Sequence, residues 1–419
     1  MRILEGYFIG LLLLPMSLAA ADWPQWRGPE RNGHVPDGVP VPAALPAEPK
    51  ILWRFKIGEG LASPVVAGGK VFYLDNQADQ ETLHAVAESD GRELWRANID
   101  GVFADNQSAP GPRCAPLVDD GRVYAQSCNG ELRCLNAADG GPVWSVNYTK
   151  DFSAVIIGEK GRSEGAPRHG NAGSPVIDGD KLYASVGGAN GEGVVCFQKA
   201  TGKIIWKSQN DEAAYAAPII ATVLGQRQLI DFTAYGLIGL DPADGRLLWR
   251  TPLKTASARH ATTPVVVDDM VLVASYQLGL VGVKLSRDGA NWQSAQVWAA
   301  RDCAMNFASP VAVGGYVYGL GPARNFFCAE AKSGRQLWSK EGYIAGAAES
   351  DHAAFLVMGG NILALTDGGE LVLFPAAPSG FKEIGRMQVC GRNWCNPAYS
   401  DAKLFLRDGH ELMCVNLSP

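Results

Sequence analysis

The chain has 419 residues, of which 47% are hydrophobic and 19% are charged, and its formal net charge is −6. This balance is typical of a globular protein, and it lacks the basic excess expected of a nucleic-acid-binding protein. Length alone would suggest two or three domains, but the internal repeats described below overrule that expectation.

The first 21 residues are predicted to form a signal peptide. Residues 7–14 are a short apolar run, and Ala19 and Ala21 suit an Ala-x-Ala cleavage site before Asp22. The run is shorter than the roughly 20 apolar residues that span a bilayer, and no later stretch approaches that length. We therefore expect an exported protein, periplasmic or extracellular, without a transmembrane segment. Because no Cys stands at the cleavage site, a lipid anchor is not expected.

Residues 22–50 are predicted to be a proline-rich N-terminal extension that does not join a sheet. The stretch begins with Trp23 and Trp26 and is rich in proline as far as Pro49. We expect it to lie extended along the folded part of the protein, as proline-rich segments do. Two exposed tryptophans would be costly, so both are expected to dock on that surface.

Residues 51–419 contain a repeating unit of about 45 residues, a period that indicates a propeller or a solenoid. Each unit has a small-residue–Pro–apolar step, two short β-rich runs, a Gly turn and a strand with Trp. In five units Trp follows Gly by four positions, and these are Trp95, Trp144, Trp206, Trp249 and Trp338. Trp298 belongs to a sixth copy with a longer turn, and Trp53 to a seventh copy without its first half.

Counting the units gives the architecture. Seven units are marked by their prolines, and these are Pro64, Pro116, Pro175, Pro218, Pro264, Pro310 and Pro397. An eighth, irregular unit falls near residues 353–357. The last unit ends after its third strand, and the missing Trp strand is present at residues 51–55. Closure of a ring removes exposed sheet edges, so we predict an all-β, eight-bladed propeller of four-stranded blades closed by the N-terminal strand.

The repeat resembles that of the quinoprotein-like, or pyrroloquinoline quinone (PQQ)-like, β-propellers. The nearest match to the family phrase Leu-Tyr-Ala-Leu-Asp…Thr-Gly…Trp is residues 237–249, and the resemblance covers residues 51–417. Among such proteins the chain is similar in length and ring size to the outer-membrane protein assembly factor BamB family. The resemblance implies that each repeat Trp docks on the neighbouring blade. The seventh unit lacks that Trp, so its seam is predicted to be the weakest.

The nine cysteines are mostly expected to be buried thiols. Four of them occupy the same small, apolar slot of the third strand, and these are Cys134, Cys196, Cys328 and Cys414. A buried free Cys behaves as a small hydrophobe. Cys390 and Cys395 are close enough in sequence to bridge a small loop, but sequence does not settle the pairing.

The candidate site lies in the loops that lead into the first strand of each blade, because loops on a rigid scaffold carry binding. Several of these loops carry arginine, and in the irregular unit the corresponding place holds Asp351-His352. Converging guanidinium groups suit an anionic ligand. The predicted ligand-binding residues are Arg113, Arg168, His169, Arg259, His260, Arg392 and Trp394. The alternative is that each Arg pairs with a local acid such as Asp302, Glu349 or Asp351 and only ties loops together.

Three functions remain open from the sequence. The first two are an export-compartment scaffold and a binding module for a sugar or other small anionic ligand, and we favour these non-catalytic roles for a protein expected to be a monomer. Its partner would then be another protein or a small anion, with no cofactor. The alternative is a quinoprotein oxidoreductase that uses PQQ with calcium to oxidise an alcohol or sugar. That resemblance is limited to the repeat, because the adjacent cysteine pair of those enzymes is absent and no catalytic residue is carried over.

Overall fold

A computed structural model describes residues 22–105, 108–154, 169–346 and 351–418. The predicted signal peptide and Arg168 lie outside the described residues. Within them the strands form eight four-stranded antiparallel sheets, and the first strands of several adjacent sheets contact one another. The predicted eight-bladed propeller is therefore confirmed, with the first strand of each blade lining a central channel.

Blades 1 to 4 follow one another along the chain. Their strands, in order from the channel outward, are β2 (Val65–Ala67), β3 (Lys70–Gln77), β4 (Gln80–Ala87) and β5 (Glu93–Gly101) in blade 1; β6 (Leu117–Asp119), β7 (Arg122–Gln126), β8 (Glu131–Asn136) and β9 (Pro142–Asn147) in blade 2; β10 (Val176–Asp178), β11 (Lys181–Ser185), β12 (Val194–Gln198) and β13 (Ile204–Ser208) in blade 3; β14 (Ile219–Val223), β15 (Gln226–Thr233), β16 (Gly236–Leu240) and β17 (Leu247–Pro252) in blade 4. A single helical turn, α1 (Tyr148–Asp151), follows blade 2.

Blades 5 to 8 complete the ring. Their strands are β18 (Val265–Val267), β19 (Met270–Ser275), β20 (Gly279–Asp288) and β21 (Asn291–Ala300) in blade 5; β22 (Val311–Val313), β23 (Tyr316–Leu320), β24 (Phe326–Glu330) and β25 (Gln336–Lys340) in blade 6; β26 (Ala353–Met358), β27 (Asn361–Thr366), β28 (Glu370–Pro375) and β29 (Gly385–Gln388) in blade 7; β30 (Ala398–Ser400), β31 (Lys403–Arg407), β32 (Glu411–Asn416) and β1 (Lys50–Lys56) in blade 8. A 3₁₀ turn, Arg301–Cys303, follows blade 5.

The N-terminal strand closes the ring as predicted. β1 pairs antiparallel with β32, and Trp53 lies opposite Cys414, as Trp144 lies opposite Cys134 in blade 2. The Trp53 indole Nε1 donates to the Glu88 carbonyl of blade 1 at 2.9 Å. The first and last blades are thus joined by the same contact that joins blades elsewhere.

The repeat tryptophans hold the seams between blades. Each of five indoles donates to a carbonyl in the turn between the third and fourth strands of the next blade, and these are Trp53, Trp95, Trp144, Trp206 and Trp338. The first four of these rings also lie against the Gly of that turn. At Gly202 a Cβ atom would approach the Trp144 ring to 2.7 Å, and φ there is +71°, so only Gly both adopts the turn and admits the ring. The expected docking of these tryptophans is confirmed.

In blade 7 the seam is filled by a residue other than Trp. In its outer strand, Gly385 pairs with Leu373, at the register where other blades place Trp. Leu45 of the extension covers this Gly, with its Cβ 3.2 Å from where a Gly385 Cβ would stand. Val39 and Leu45 pack against the apolar cluster shared by blades 7 and 8. The seam that lacks Trp is therefore filled from a distant part of the chain.

The start of the extension crosses one end of the channel. Trp23 exchanges backbone hydrogen bonds with Val66 of blade 1, and Val35 donates to the Val357 carbonyl of blade 7. The inner edges of the first strands are unpaired, so they accept such a segment as a sheet edge accepts another strand. We call residues 22–35 the plug, and the end of the channel that they fill the closed end.

Two arginines anchor the plug inside the channel. Arg31 donates to the Ser174 and Pro175 carbonyls at 2.7 Å each, and Arg27 donates to the Pro310 carbonyl. Both are almost fully buried, and burial lowers the pKa of each guanidinium to about 9. Burial disfavours the charged form of both arginines. Carbonyl oxygens directly before the first strands of blades 3 and 6 compensate by accepting their hydrogen bonds.

All nine cysteines are free thiols. The four that share the third-strand slot have no exposed surface, as predicted. Burial raises the pKa of the Cys196 and Cys414 thiols to about 12. These side chains remain protonated at neutral pH and act as small apolar groups.

Candidate functional site

The opposite end of the channel, the mouth, is open and leads into a cavity of about 180 Å³. Loops from several blades build its wall, because each loop that enters a first strand begins at this end. The side chains of the lining are mostly apolar or aromatic, and the lining residues are Trp26, Leu61, Ser108, Arg113, His169, Ala172, Tyr215, Ala217, Arg259, Ala261, Phe307, His352, Trp394 and Asn396. The cavity is thus a mouth-facing cup built from distant parts of the chain.

Trp26 connects the cup to the plug. Its indole Nε1 donates to Thr263 Oγ1 at 2.8 Å, and its ring lines the cavity. Because Arg27 follows directly and is anchored in the channel, Trp26 is held in place from the closed end. The plug therefore contributes a wall to the cavity that opens at the mouth.

One side of the cup contains a compact polar cluster. Arg113 donates to Asp105 at 3.1 Å, to Ser108 Oγ at 2.6 Å and to the His169 carbonyl. His169 Nδ1 lies 2.8 Å from the same Asp105 carboxylate. The guanidinium also lies 5.0 Å from the Phe103 ring centroid. Arg113 and His169 thus share a local acid, although not one of the acids named from the sequence.

The other side of the cup is aromatic. Phe307 and Trp394 lie with ring centroids 4.9 Å apart, and the Arg259 guanidinium lies 5.8 Å from the Phe307 centroid. A cation at this distance from a ring is attracted by its π electrons. These three residues come from the loops before blades 5, 6 and 8, so only ring closure brings them together.

His352 completes the aromatic wall. Its ring is 3% exposed and lies 6.3 Å from the Trp394 ring. Both ring nitrogens are buried, and a hydrogen bond with the Cys395 backbone offsets only part of the effect of burial on the pKa. Burial lowers the pKa of His352 to about 4. A buried, neutral imidazole therefore forms part of the wall of the cup.

The predicted site residues are distributed unevenly. Arg113, His169, Arg259 and Trp394 line the cup, while Arg392 lines a neighbouring hollow of about 460 Å³ that also includes Trp394. Arg168 lies outside the described residues. Their role in binding stays a prediction.

His260 lies behind the wall of the cup rather than in it. The side chain is fully buried, its ring stacks on Phe232 at 4.2 Å, and Nδ1 lies 2.7 Å from the Thr233 carbonyl. Burial lowers its pKa to about 4. The repeated Arg-His pair thus places one histidine, His169, in the lining and the other in the core.

Several lining residues were missed by the sequence analysis. Trp26, Tyr215 and Phe307 carry no local signal of a site, because aromatic residues are common in any core. His352 was noted only as the start of the irregular unit. Its place directly before the first strand of blade 7, equivalent to the arginine-bearing loops, was the signal available.

Two buried acids lie near the mouth. Glu81 accepts from the Cys128 and Phe103 backbone amides, and Asp231 accepts from Ser185 Oγ at 2.7 Å. Burial raises the pKa of each carboxyl to about 7. Neither residue lines the cup, so we assign both to the blade interior.

The cup does not fit a calcium-bound quinone. Calcium requires six to eight oxygen ligands, several of them carboxylates, whereas the described lining contains no Asp or Glu. No group of three or more His, Cys, Asp or Glu side chains in the described ranges could hold a metal ion. In the same part of the chain, no helix is long and apolar enough to span a membrane.

Comparison with known proteins identifies relatives of the chain. The family model described as outer membrane protein assembly factor BamB matches residues 41–184 and 128–374. The outer membrane protein assembly factor BamB of Moranella endobia is 24% identical over 317 residues, covering 72% of this chain and 74% of the relative. That of Yersinia pestis is 25% identical over 271 residues, covering 61% of this chain and 58% of the relative.

Solved structures share the fold. BamB from Moraxella catarrhalis aligns with a TM-score of 0.57 at 16% identity, covering 88% of this chain and 98% of that one. The quinohemoprotein alcohol dehydrogenase ADHIIG from Pseudomonas putida aligns with a TM-score of 0.52 at 11% identity, covering 95% and 80%. At such identities the likeness concerns the propeller alone. The family model, in contrast, matches most of the sequence, and the chain belongs to the outer membrane protein assembly factor BamB family.

Proposed function

We propose that the protein is an exported, non-catalytic binding scaffold that engages its partner at the mouth of the channel. One observation carries this proposal: loops from five blades bring Arg113, Tyr215, Arg259, Phe307 and Trp394 to one cavity. Rigid aromatic anchors and arginine are the residues that dominate binding energy at protein interfaces. The fixed ring supplies the scaffold, and the loops supply the contacts.

The names of the family members indicate which kind of partner to expect. Relatives are named as outer membrane protein assembly factors, so the partner we propose is a protein of that assembly in the periplasm. The arginine-rich loops favour an acidic or carboxylate-bearing segment of this partner. The protein acts as a monomer in this proposal, and it requires no cofactor.

Site-specific photo-crosslinking tests the proposal. A photoreactive amino acid replaces Ala109, which is exposed beside the mouth, and in a matched control it replaces Leu224, which is exposed on the turn between β14 and β15 at the other end of blade 4. We expect a discrete crosslinked protein in the cell envelope from position 109 and none from position 224. Equal products from both positions, or none from position 109, would contradict the mouth as the binding face.

The quinoprotein alternative has a separate test. The purified protein is incubated with PQQ and calcium and then desalted. We expect no quinone absorbance to remain, because the described lining offers no carboxylate for calcium. Retained absorbance would favour the oxidoreductase over the scaffold.

A further inference from the structure

We propose that the cup receives one large apolar side chain of the protein partner, and that the chain flanking this side chain lies in the neighbouring hollow beside Arg392. The assignment rests on the proposed function, because it takes the mouth as the binding face. It goes further in naming what the partner presents there. The partner segment carries a residue such as Phe or Leu, with an acidic residue close to it in sequence.

The polar side chains that line the cup are largely engaged within its wall. Arg113 donates to a carboxylate and a hydroxyl of its own loop, and the Trp26 indole N–H already donates to a threonine. The Tyr215 hydroxyl and both ring nitrogens of His352 are buried. A polar ligand group in the cup would therefore find few partners to replace the water that it loses.

Apolar surface, in contrast, remains uncovered in the cup. Leu61, Tyr215, Phe307 and Trp394 come from the loops before blades 1, 4, 6 and 8, and each is only partly buried. The Trp26 ring is also partly exposed. Covering apolar surface is favourable in proportion to the area removed from water. The cup therefore favours an apolar group over a charged or hydroxylated one.

The dimensions of the cup select a single side chain. Its volume is about 180 Å³, whereas pockets for drug-sized ligands measure about 300–1,000 Å³. Trp26 forms part of its inner boundary and is held by the plug, which Arg27 anchors in the channel. A partner chain therefore cannot thread past the cup, but one side chain can enter it. Protein interfaces commonly place such an anchor in a central pocket.

The hollow beside the cup distinguishes a protein segment from a free apolar molecule. It measures about 460 Å³ and shares Leu61 and Trp394 with the cup, so a segment anchored in the cup can continue into it. Its Asp408 carboxylate accepts from three backbone amides, and its Arg392 is exposed. An exposed guanidinium at this place favours an acidic residue next to the apolar anchor.

Titration calorimetry with blocked peptides tests the assignment. The native protein is titrated with acetyl-Gly-Asp-Gly-Phe-Gly-amide, with the same peptide carrying Ser in place of Phe, and with acetyl-phenylalanine amide alone. We expect saturable binding of the Phe peptide and about tenfold weaker binding, or none, of the Ser peptide. Absence of Phe-peptide binding, or equal binding of both peptides, would overturn the assignment. Equal affinity for acetyl-phenylalanine amide would contradict the protein segment and favour a small apolar molecule.

The variant Ala261→Phe, with Ala243→Phe as its matched control, tests where the peptide binds. Ala261 lines the cup and is partly exposed, so a Phe ring there fills the cavity. We expect a melting temperature near the native one and about tenfold weaker binding of the Phe peptide. Ala243 is exposed in the turn between β16 and β17, so its variant should bind normally. Ala172→Phe, at another lining position, repeats the test if Ala261→Phe does not fold. Unchanged affinity in a folded cup variant would contradict the assigned place.

Crosslinking from position 109 separates failure of this assignment from failure of the scaffold. A crosslinked protein without binding of the Phe peptide would keep the scaffold and refute the apolar anchor. Peptide binding that is lost in Ala261→Phe, without any crosslinked protein, would keep the anchor pocket and contradict the proposed partner.

Discussion

The two ends of the channel use arginine in opposite ways. At the closed end, Arg27 and Arg31 are buried and bound to backbone carbonyls, and burial lowers their pKa. At the mouth, Arg113 and Arg259 are half-buried beside aromatic rings. The comparison shows that the surroundings decide the role: a guanidinium enclosed by carbonyl oxygens fixes the chain, whereas one beside aromatic rings forms part of a cavity wall.

The plug links the two ends energetically. It buries Trp23 against blade 1 and Val35 against blade 7, and it also presents Trp26 to the cup. Stability at the closed end and shape at the mouth therefore depend on one segment. Four predictions test how far the two ends are separable.

Removal of residues 22–49 should have the largest effect. The deletion keeps β1 but exposes the inner edges of the channel and uncovers Gly385, so we expect a loss of about 5 kcal/mol or more in unfolding free energy. Thermal unfolding followed by circular dichroism measures it. A synthetic peptide of residues 22–49 should restore the melting temperature with increasing concentration. A truncated protein that unfolds like the native one would show that the plug contributes nothing to stability.

The difference between arginines at the closed end and at the mouth can be tested with two variants, Arg31→Met and Arg259→Met. The first change leaves the Ser174 and Pro175 carbonyls without their donor, and we expect it to cost about 2–3 kcal/mol. The second affects a half-buried residue at the rim, where we expect a cost below about 1 kcal/mol. Urea unfolding of both variants gives the two values. Equal costs would mean that the two ends do not differ as described.

Asp231→Asn should change stability in a pH-dependent way. The native pKa of about 7 lies above the unfolded value of 3.8, so the folded protein binds more protons between these values and loses stability as pH rises through that window. The Asn variant avoids this loss. We expect it to be more stable than the native protein by about 2 kcal/mol near pH 5.5, with little difference near pH 4. An equal difference at both pH values would contradict the raised pKa.

Leu45→Ala should have the smallest effect. Leu45 covers Gly385 in the seam between blades 7 and 8, but it is only partly buried, so we expect a loss of about 1 kcal/mol. Val41→Ala, at an exposed position of the same segment, is the matched control and should be neutral within about 0.5 kcal/mol. Equal results for the two variants would show that Leu45 does not support the seam.

The ring could be predicted because its signals are local and repeated. In five units the Gly turn and the Trp lie within five residues, as in Gly202–Trp206, and the same phrase recurs often enough to count blades. The missing half-unit at each end identified the closing strand, since Trp53 had no other unit to complete. The sequence did not predict that Leu45 packs on Gly385 in the seam of blade 7, because the two residues are hundreds of positions apart.

The candidate site was only partly predictable. Arg113, His169, Arg259 and Trp394 were found from their equivalent places before the first strands, and the structure puts them around one cavity. His260 shared that pattern but lies in the core, because its loop turns the ring inward onto Phe232. The repeat pattern predicts which loop a residue belongs to. The direction of its side chain depends on contacts with residues from other blades.

The sequence by itself determined the fold class, the number of blades and the manner of closure, because each follows from short-range periodicity. Only the tertiary structure decided the path of residues 22–35 and the composition of the cup. Arg31 reaches Ser174, and Trp26 reaches Thr263, across separations that carry no periodic signal. Such contacts form because a closed ring offers unpaired inner edges and carbonyls that a buried segment satisfies.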